Sequence, residues 1–216
     1  MRRDRLVLTL FAFGGGYADA AGMLRYHTFA GHVTGNLVLM AISLANAQWA
    51  DVLLRSVAVS CFVLSTALGL RLARRARGNG RVIIAQGVLI PLACALQGSA
   101  ARPELLGVAA LCCSLGLQNG AFTTAAGVSL HSTFVSGDAT SLFGSLLKVQ
   151  PTAIAEVKER AQKIRVLSLL LASFVVGALT AAYLSRFVGN WLPCLVLAPL
   201  LTAGVLKLSA PVEAGN

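Results

Sequence analysis

Charge is scarce in this chain, and negative charge is scarcer still. Only 12% of its 216 residues are charged, and 8 Asp and Glu stand against 18 Lys and Arg. Soluble domains carry about 25% charged residues, so an ordinary globular protein in water is excluded. The mean hydropathy of +0.76 and a hydrophobic content of 56% point to a bilayer. The five cysteines, Cys61, Cys94, Cys112, Cys113 and Cys194, form no Cys-x-x-Cys or Cys/His spacing. That excludes a zinc site or a disulfide framework as the organising device, and each reads as a small core residue. There is no Gly-x-x-x-x-Gly-Lys-Ser/Thr loop, so transport driven by a bound nucleotide is excluded, and no cofactor or metal is expected.

What the chain has is apolar length. Segments near 6–26, 52–72, 82–99, 105–127, 166–187 and 191–208 are each close to the roughly 20 residues that cross a hydrocarbon core of about 30 Å. Two further apolar segments, 35–47 and 137–149, would cover only about 20 Å at 1.5 Å per residue. They read as re-entrant or broken half-helices. The formal charge of +10 raises nucleic acid as a partner, but basic residues beside long apolar runs belong at membrane edges instead. No nucleic-acid partner is expected; the lipid bilayer is.

Arg and Lys collect in cytoplasmic loops, which orients the chain. If neither short segment crosses and the N-terminus is inside, the cytoplasmic side carries Arg2, Arg3, Arg5, the cluster from Arg71 to Arg81, the cluster from Lys148 to Arg165, and Lys207. Only Arg25, Arg55, Arg102 and Arg186 remain outside. Eight crossings would move the Arg71 to Arg81 cluster outward and spoil this asymmetry. The expected architecture is therefore an all-α membrane protein of about six transmembrane helices plus two half-helices. Both termini face the cytoplasm of a bacterial inner membrane. The Leu6 to Phe13 stretch imitates a signal peptide, but Gly16 and Asp19 belong to the repeat described next, so retention is expected.

That repeat is the most informative pattern. Gly16-Tyr17-Ala18-Asp19 leads to Val33-Thr34-Gly35-Asn36, and Gly116-Leu117-Gln118-Asn119 leads to Val135-Ser136-Gly137-Asp138. Three spans and one half-helix per copy, about 6–99 and about 105–208, require the second copy to lie inverted relative to the first. The whole chain, 1–216, reads as one membrane domain, with 151–165 as a basic interfacial helix on the cytoplasmic face.

Polar groups inside these segments are the candidate site. Asp19 stands in a span, where a carboxylate costs about 2.5–3.5 kcal/mol on insertion scales. Its bland reading is a packing helix whose Asp bonds a neighbouring backbone. Gln118 and Asn119 offer amides beside a Gly-x-x-x-Gly spacing suited to close helix contact. In each turn Thr34 or Ser136 reads as a helix cap, Gly35 or Gly137 as a point of close backbone approach, and Asn36 or Asp138 as an acceptor for free amides. A helix start left inside the bilayer suits an anionic or polar solute. The two carboxylates, exchanged with amides between the copies, favour a proton or cation partner, since a carboxylate in low dielectric is expected to titrate high. His27, His32 and His131 read as interfacial, with a gating or proton-relay histidine as the alternative. Trp49, Trp191, Tyr26 and Tyr183 read as an aromatic belt.

At these residues the chain resembles the YoaK family of small multi-pass bacterial membrane proteins, the domain of unknown function 1275. The shared elements are Gly16-Tyr17-Ala18-Asp19-Ala20, Thr34-Gly35-Asn36 and Gly116-Leu117-Gln118-Asn119, over roughly residues 6–208. Relatives often carry Thr-Gly-Thr where this chain has Ser136-Gly137-Asp138. The resemblance implies an integral membrane protein and supplies no substrate. The function expected from the residues is a secondary transporter or channel for a small polar or ionic solute, open to proton coupling. Two alternatives stand beside it: an intramembrane enzyme using Asp19 and Asp138, and a membrane scaffold or assembly protein. A narrow bundle of this size leaves a homodimer open.

Overall fold

The structure, a computed structural model, describes residues 2–74, 78–96, 101–122, 124–125, 128–129 and 154–208. Its elements are α1 (Arg2–Tyr26), α2 (Val33–Ala45), α3 (Trp49–Ala73), α4 (Gly78–Leu96), α5 (Pro103–Ala121), β1 (Thr124–Ala125), β2 (Val128–Ser129), α6 (Ile154–Val188) and α7 (Leu197–Leu208). A 3-10 segment, Gly189–Val196, joins the last two helices. The strands are a two-residue antiparallel bridge, and everything else regular among the described residues is helix.

Length and composition qualify three stretches as membrane spans: Arg5–Tyr26, Trp49–Ala73 and Ala161–Leu208. The last contains both α6 and α7. Val33–Ala45 and Gly80–Leu96 are shorter apolar helices. The sequence expects six separate spans, and four of them, 6–26, 52–72, 166–187 and 191–208, fall within these three stretches. Pro91 stands inside α4. In α5, Glu104, Ser114, Gln118 and Asn119 dilute the apolar run, and the helix stops at Ala121 where the sequence carries it to 127. The Pro193 ring tightens the chain between α6 and α7 into 3-10 geometry. The stretch expected as a separate interfacial helix, 151–165, enters α6 at Ile154 and continues unbroken for 35 residues, about 52 Å at 1.5 Å per residue.

Contacts fix the relative directions of the helices. Tyr26 covers Gly107 near the start of α5, while Phe11 meets Phe122 just past its end, ring centroids 5.2 Å apart. So α1 and α5 run oppositely. α3 runs with α5, because Phe62 lies on Gly116 and Thr66 on Gly120. α7 returns along α1, from Arg25 with Asn190 through Tyr17 with Leu192 to Gly14 with Leu200. It also runs against α4, with Gly87 on Leu201 and Gly80 on Leu208. The end of α1 and the starts of α3 and α5 therefore share one end of the bundle. α2 departs from that end and comes back to it.

Two helix pairs form the tightest crossings. In α1 against α6, a methyl group at Gly16 would strike the Phe174 carbonyl, and one at Gly177 would strike the Phe13 carbonyl. In α3 against α5, Gly116 faces the Phe62 carbonyl, Gly120 the Thr66 carbonyl and Gly69 the Leu117 carbonyl. Without a hydrophobic drive in lipid, close backbone approach through small residues is what holds such pairs.

The outward surface is aliphatic. Val38, Ile42, Leu64, Ile84, Leu179, Phe187 and Val205 are each more than half exposed, a belt that water would not tolerate on a monomer. Trp49, Tyr183 and Trp191, expected in an aromatic belt, are exposed. Tyr26 departs from that expectation: it is buried, because Gly107 leaves room for its ring.

Candidate functional site

The site grows from the end of α1. His27 takes a left-handed φ of 53° and its amide returns to the Met23 carbonyl at 3.0 Å, which ends the helix. Residues 28–31 then turn back into the protein instead of out to solvent: Thr28, Ala30 and Gly31 are buried. Gly22 permits this, since a side chain there would meet the Thr28 carbonyl. A buried loop must find partners for its backbone polar groups, and two side chains supply them.

Asp19 is the first. The residue is 4% exposed; Oδ1 accepts the Gly31 amide at 2.7 Å and Oδ2 lies 2.6 Å from His32 Nδ1. Asn36 is the second. Its Oδ1 accepts from the Phe29 amide at 2.9 Å and its Nδ2 donates to the Phe29 carbonyl at 2.8 Å. Gly35 lets the Phe29 ring lie against the start of α2. Beneath the loop, Cys112 of α5 is 1% exposed, with Sγ 3.8 Å from the Phe29 carbonyl.

His32 is where the structure overturns an expectation. The sequence reads it as interfacial; it is half-buried, bonded to Asp19 and set edge-on to Phe174 of α6 at 6.1 Å. It belongs to the loop between helices. The Asp19 hydrogen bond raises its pKa above the usual 6.5, burial lowers it, and the nearby carboxylate charge raises it again, with the net shift upward. A second correction concerns Thr34. The cap position of α2 is His32, no side chain caps it, and Thr34 is exposed within the helix. Asn36 likewise turns back to the loop and does not serve the free amides of its own helix.

A second polar cluster joins α4 to α5. Gln86, 1% exposed, donates to the Ser114 carbonyl at 3.0 Å and to Gln118 Oε1 at 3.3 Å. The Asn119 Oδ1 and Ser114 Oγ atoms are buried without a partner among the described residues. The sequence finds Gln118 and Asn119 but misses Gln86, although an amide inside an apolar helix is the same signal. It also misses Arg55, read as an outer-edge charge. Arg55 is buried in α3 and donates to the Leu39 carbonyl and the Ser43 hydroxyl of α2, with Asp51 3.4 Å away.

Asp19, Gly35 and Asn36 thus meet at one loop, Gln118 lies at the contact of α4 with α5, Asn119 follows it on α5, and Ser136, Gly137, Asp138 and His131 fall outside the described residues. Among the described residues no three His, Cys, Asp or Glu gather to hold a metal ion.

Apolar helices joined by backbone contacts, an aliphatic outer surface and a buried carboxylate against an imidazole define a helical protein of membrane type. The chain belongs to the family described as Protein of unknown function (DUF1275), whose model matches residues 7–206, nearly the whole chain. No curated protein and no solved structure matches it.

Proposed function

We propose that this protein is a secondary transporter or channel for a small polar or ionic solute, coupled to protons, with its site at the loop between α1 and α2. One observation carries the reading: a carboxylate and an imidazole 2.6 Å apart, at a helix break that is buried in protein. Ionisable groups in a membrane bundle are costly, and broken helices are where transporters hold them.

The wider architecture supports it. On this reading the chain crosses six times, α2 is re-entrant, and two units of three spans lie inverted about an axis in the membrane plane. The reciprocal crossings fit: Gly16 meets Phe174 as Gly116 meets Phe62, each first helix packing on the second span of the other unit. Arg5, Arg71, Arg74, Arg81, Lys163, Arg165 and Lys207 then face the cytoplasm of a bacterial inner membrane, with both termini, and the first turns of α6 project beyond the bilayer. Asp138 would bring the second carboxylate to the shared centre, and a homodimer would enlarge the narrow bundle.

The test is reconstitution into liposomes with a panel of small ions and polar solutes under an imposed pH gradient. Transport that is lost in Asp19→Asn supports the reading. Chemical conversion of a solute would replace it with the enzyme, and inertness to the whole panel with the scaffold. If Asp19→Asn combined with Asp138→Asn left transport equally sensitive to the gradient, the proton coupling would be wrong.

A further inference from the structure

We propose that Asp19 and His32 form a proton-dependent latch that holds the loop of residues 27–32 closed over Cys112. The inference deepens the transport reading, on which its role in a cycle rests, but its physical content stands on local geometry.

Among the described residues the loop is held by few groups. Asn36 grips Phe29 through two neutral hydrogen bonds. Every other side-chain hold on residues 29–32 that bears charge runs through Asp19, to the Gly31 amide and to His32 Nδ1. Thr28 adds only a local bond to the Tyr26 carbonyl at 3.2 Å. One titratable pair therefore fastens the C-terminal half of the loop to α1.

Among the described residues, the groups around that pair leave the proton count to decide its strength. From α1 comes Asp19; from α5 comes Cys112; α6 contributes the uncharged Phe174 ring, and the loop contributes Phe29, whose ring centroid lies 5.5 Å from that of the imidazole. Arg25, the nearest cation along α1, is turned to Asn190. With one proton shared, an imidazolium faces a carboxylate and the hold is charge-assisted on both sides. When the proton leaves His32 for the aqueous phase, the neutral ring still donates from Nδ1, but the ionic part of the attraction is gone. Asp19 is then left with an uncompensated charge in a dry setting, which favours water or a cation over the closed loop. The upward shift of His32 puts the loss of that proton on the alkaline side of its usual range.

Cys112 is a native reporter of this opening, since it is buried and touches the loop at the Phe29 carbonyl. The experiment measures the rate at which N-ethylmaleimide modifies Cys112 in the detergent-solubilised full chain, site-resolved by mass spectrometry. Each rate is divided by that of the same thiol in denatured protein at the same pH, so the ratio reports opening and not thiolate chemistry. For the wild type the ratio rises several-fold as pH is raised through the alkaline side of the His32 range. In His32→Gln it is raised at all pH values and flat. A wild-type ratio independent of pH overturns the proposal, even if His32→Gln opens the loop, because the pair is then a structural tie only. The wild-type profile needs no variant to fold. Should no solute move in liposomes while the profile appears, the latch stands and the transport reading falls.

Discussion

Asn36 shows what a single side chain does for a buried loop. It meets both polar groups of the Phe29 backbone, and an unpaired buried group costs about 1–3 kcal/mol. Asn36→Ala is expected to destabilise the protein by roughly that amount per orphaned group, read as a lower melting temperature in detergent; Asn36→Asp, which keeps only the acceptor, should fall between. Asp19→Asn loses a charge-assisted hold on His32, a class of bond contributing about 1.5–3 kcal/mol. His32 adds a pH dependence whose sign follows from its raised pKa. Its stabilising contribution is complete below the unfolded value of about 6.5 and is lost as pH rises through the higher folded value. Melting temperature should therefore fall on that limb for the wild type and not for His32→Gln. Asp19 was legible in the sequence because a lone acid in an apolar run is conspicuous. His32 was not, because its partner depends on a chain reversal that no periodicity announces.

At the level of elements, the glycines decide which helices touch. Gly16 and Gly177 bring α1 and α6 into carbonyl contact, and Gly116, Gly120 and Gly69 do the same for α3 and α5. Overpacking a tight contact costs about 1–3 kcal/mol or more. Gly16→Val and Gly120→Val should each lower the melting temperature accordingly. Gly80→Ala in α4, where the nearest neighbour is Leu208 at 3.8 Å, should instead be neutral or stabilising, since Ala exceeds Gly in helix propensity by about 1 kcal/mol. Apolar length located most helices to within a few residues, and the Gly-x-x-x-Gly spacing announced a close helix contact for α5 without naming α3 as its partner. Composition alone did not end α5 at Ala121, where the Phe122 amide closes the last turn on the Gln118 carbonyl, or run α6 back to Ile154. The Arg55 guanidinium also misled: a basic residue near a segment end reads as an edge charge, yet here it turns inward to tie α2 to α3.

For the molecule as a whole, the account requires that α2 enter and leave the bilayer on one side. The contacts put the end of α1 and the start of α3 at the same end of the bundle, with the Asp19 loop between them. His27, Ala47 and Arg74 are exposed, so single cysteines at these positions in a background without the native five can be probed with a membrane-impermeant thiol reagent from each face of sealed vesicles. The account predicts that His27→Cys and Ala47→Cys are labelled from the same face and Arg74→Cys from the opposite one. Labelling of the first two from opposite faces would mean that α2 crosses, and the broken-helix site would go with it.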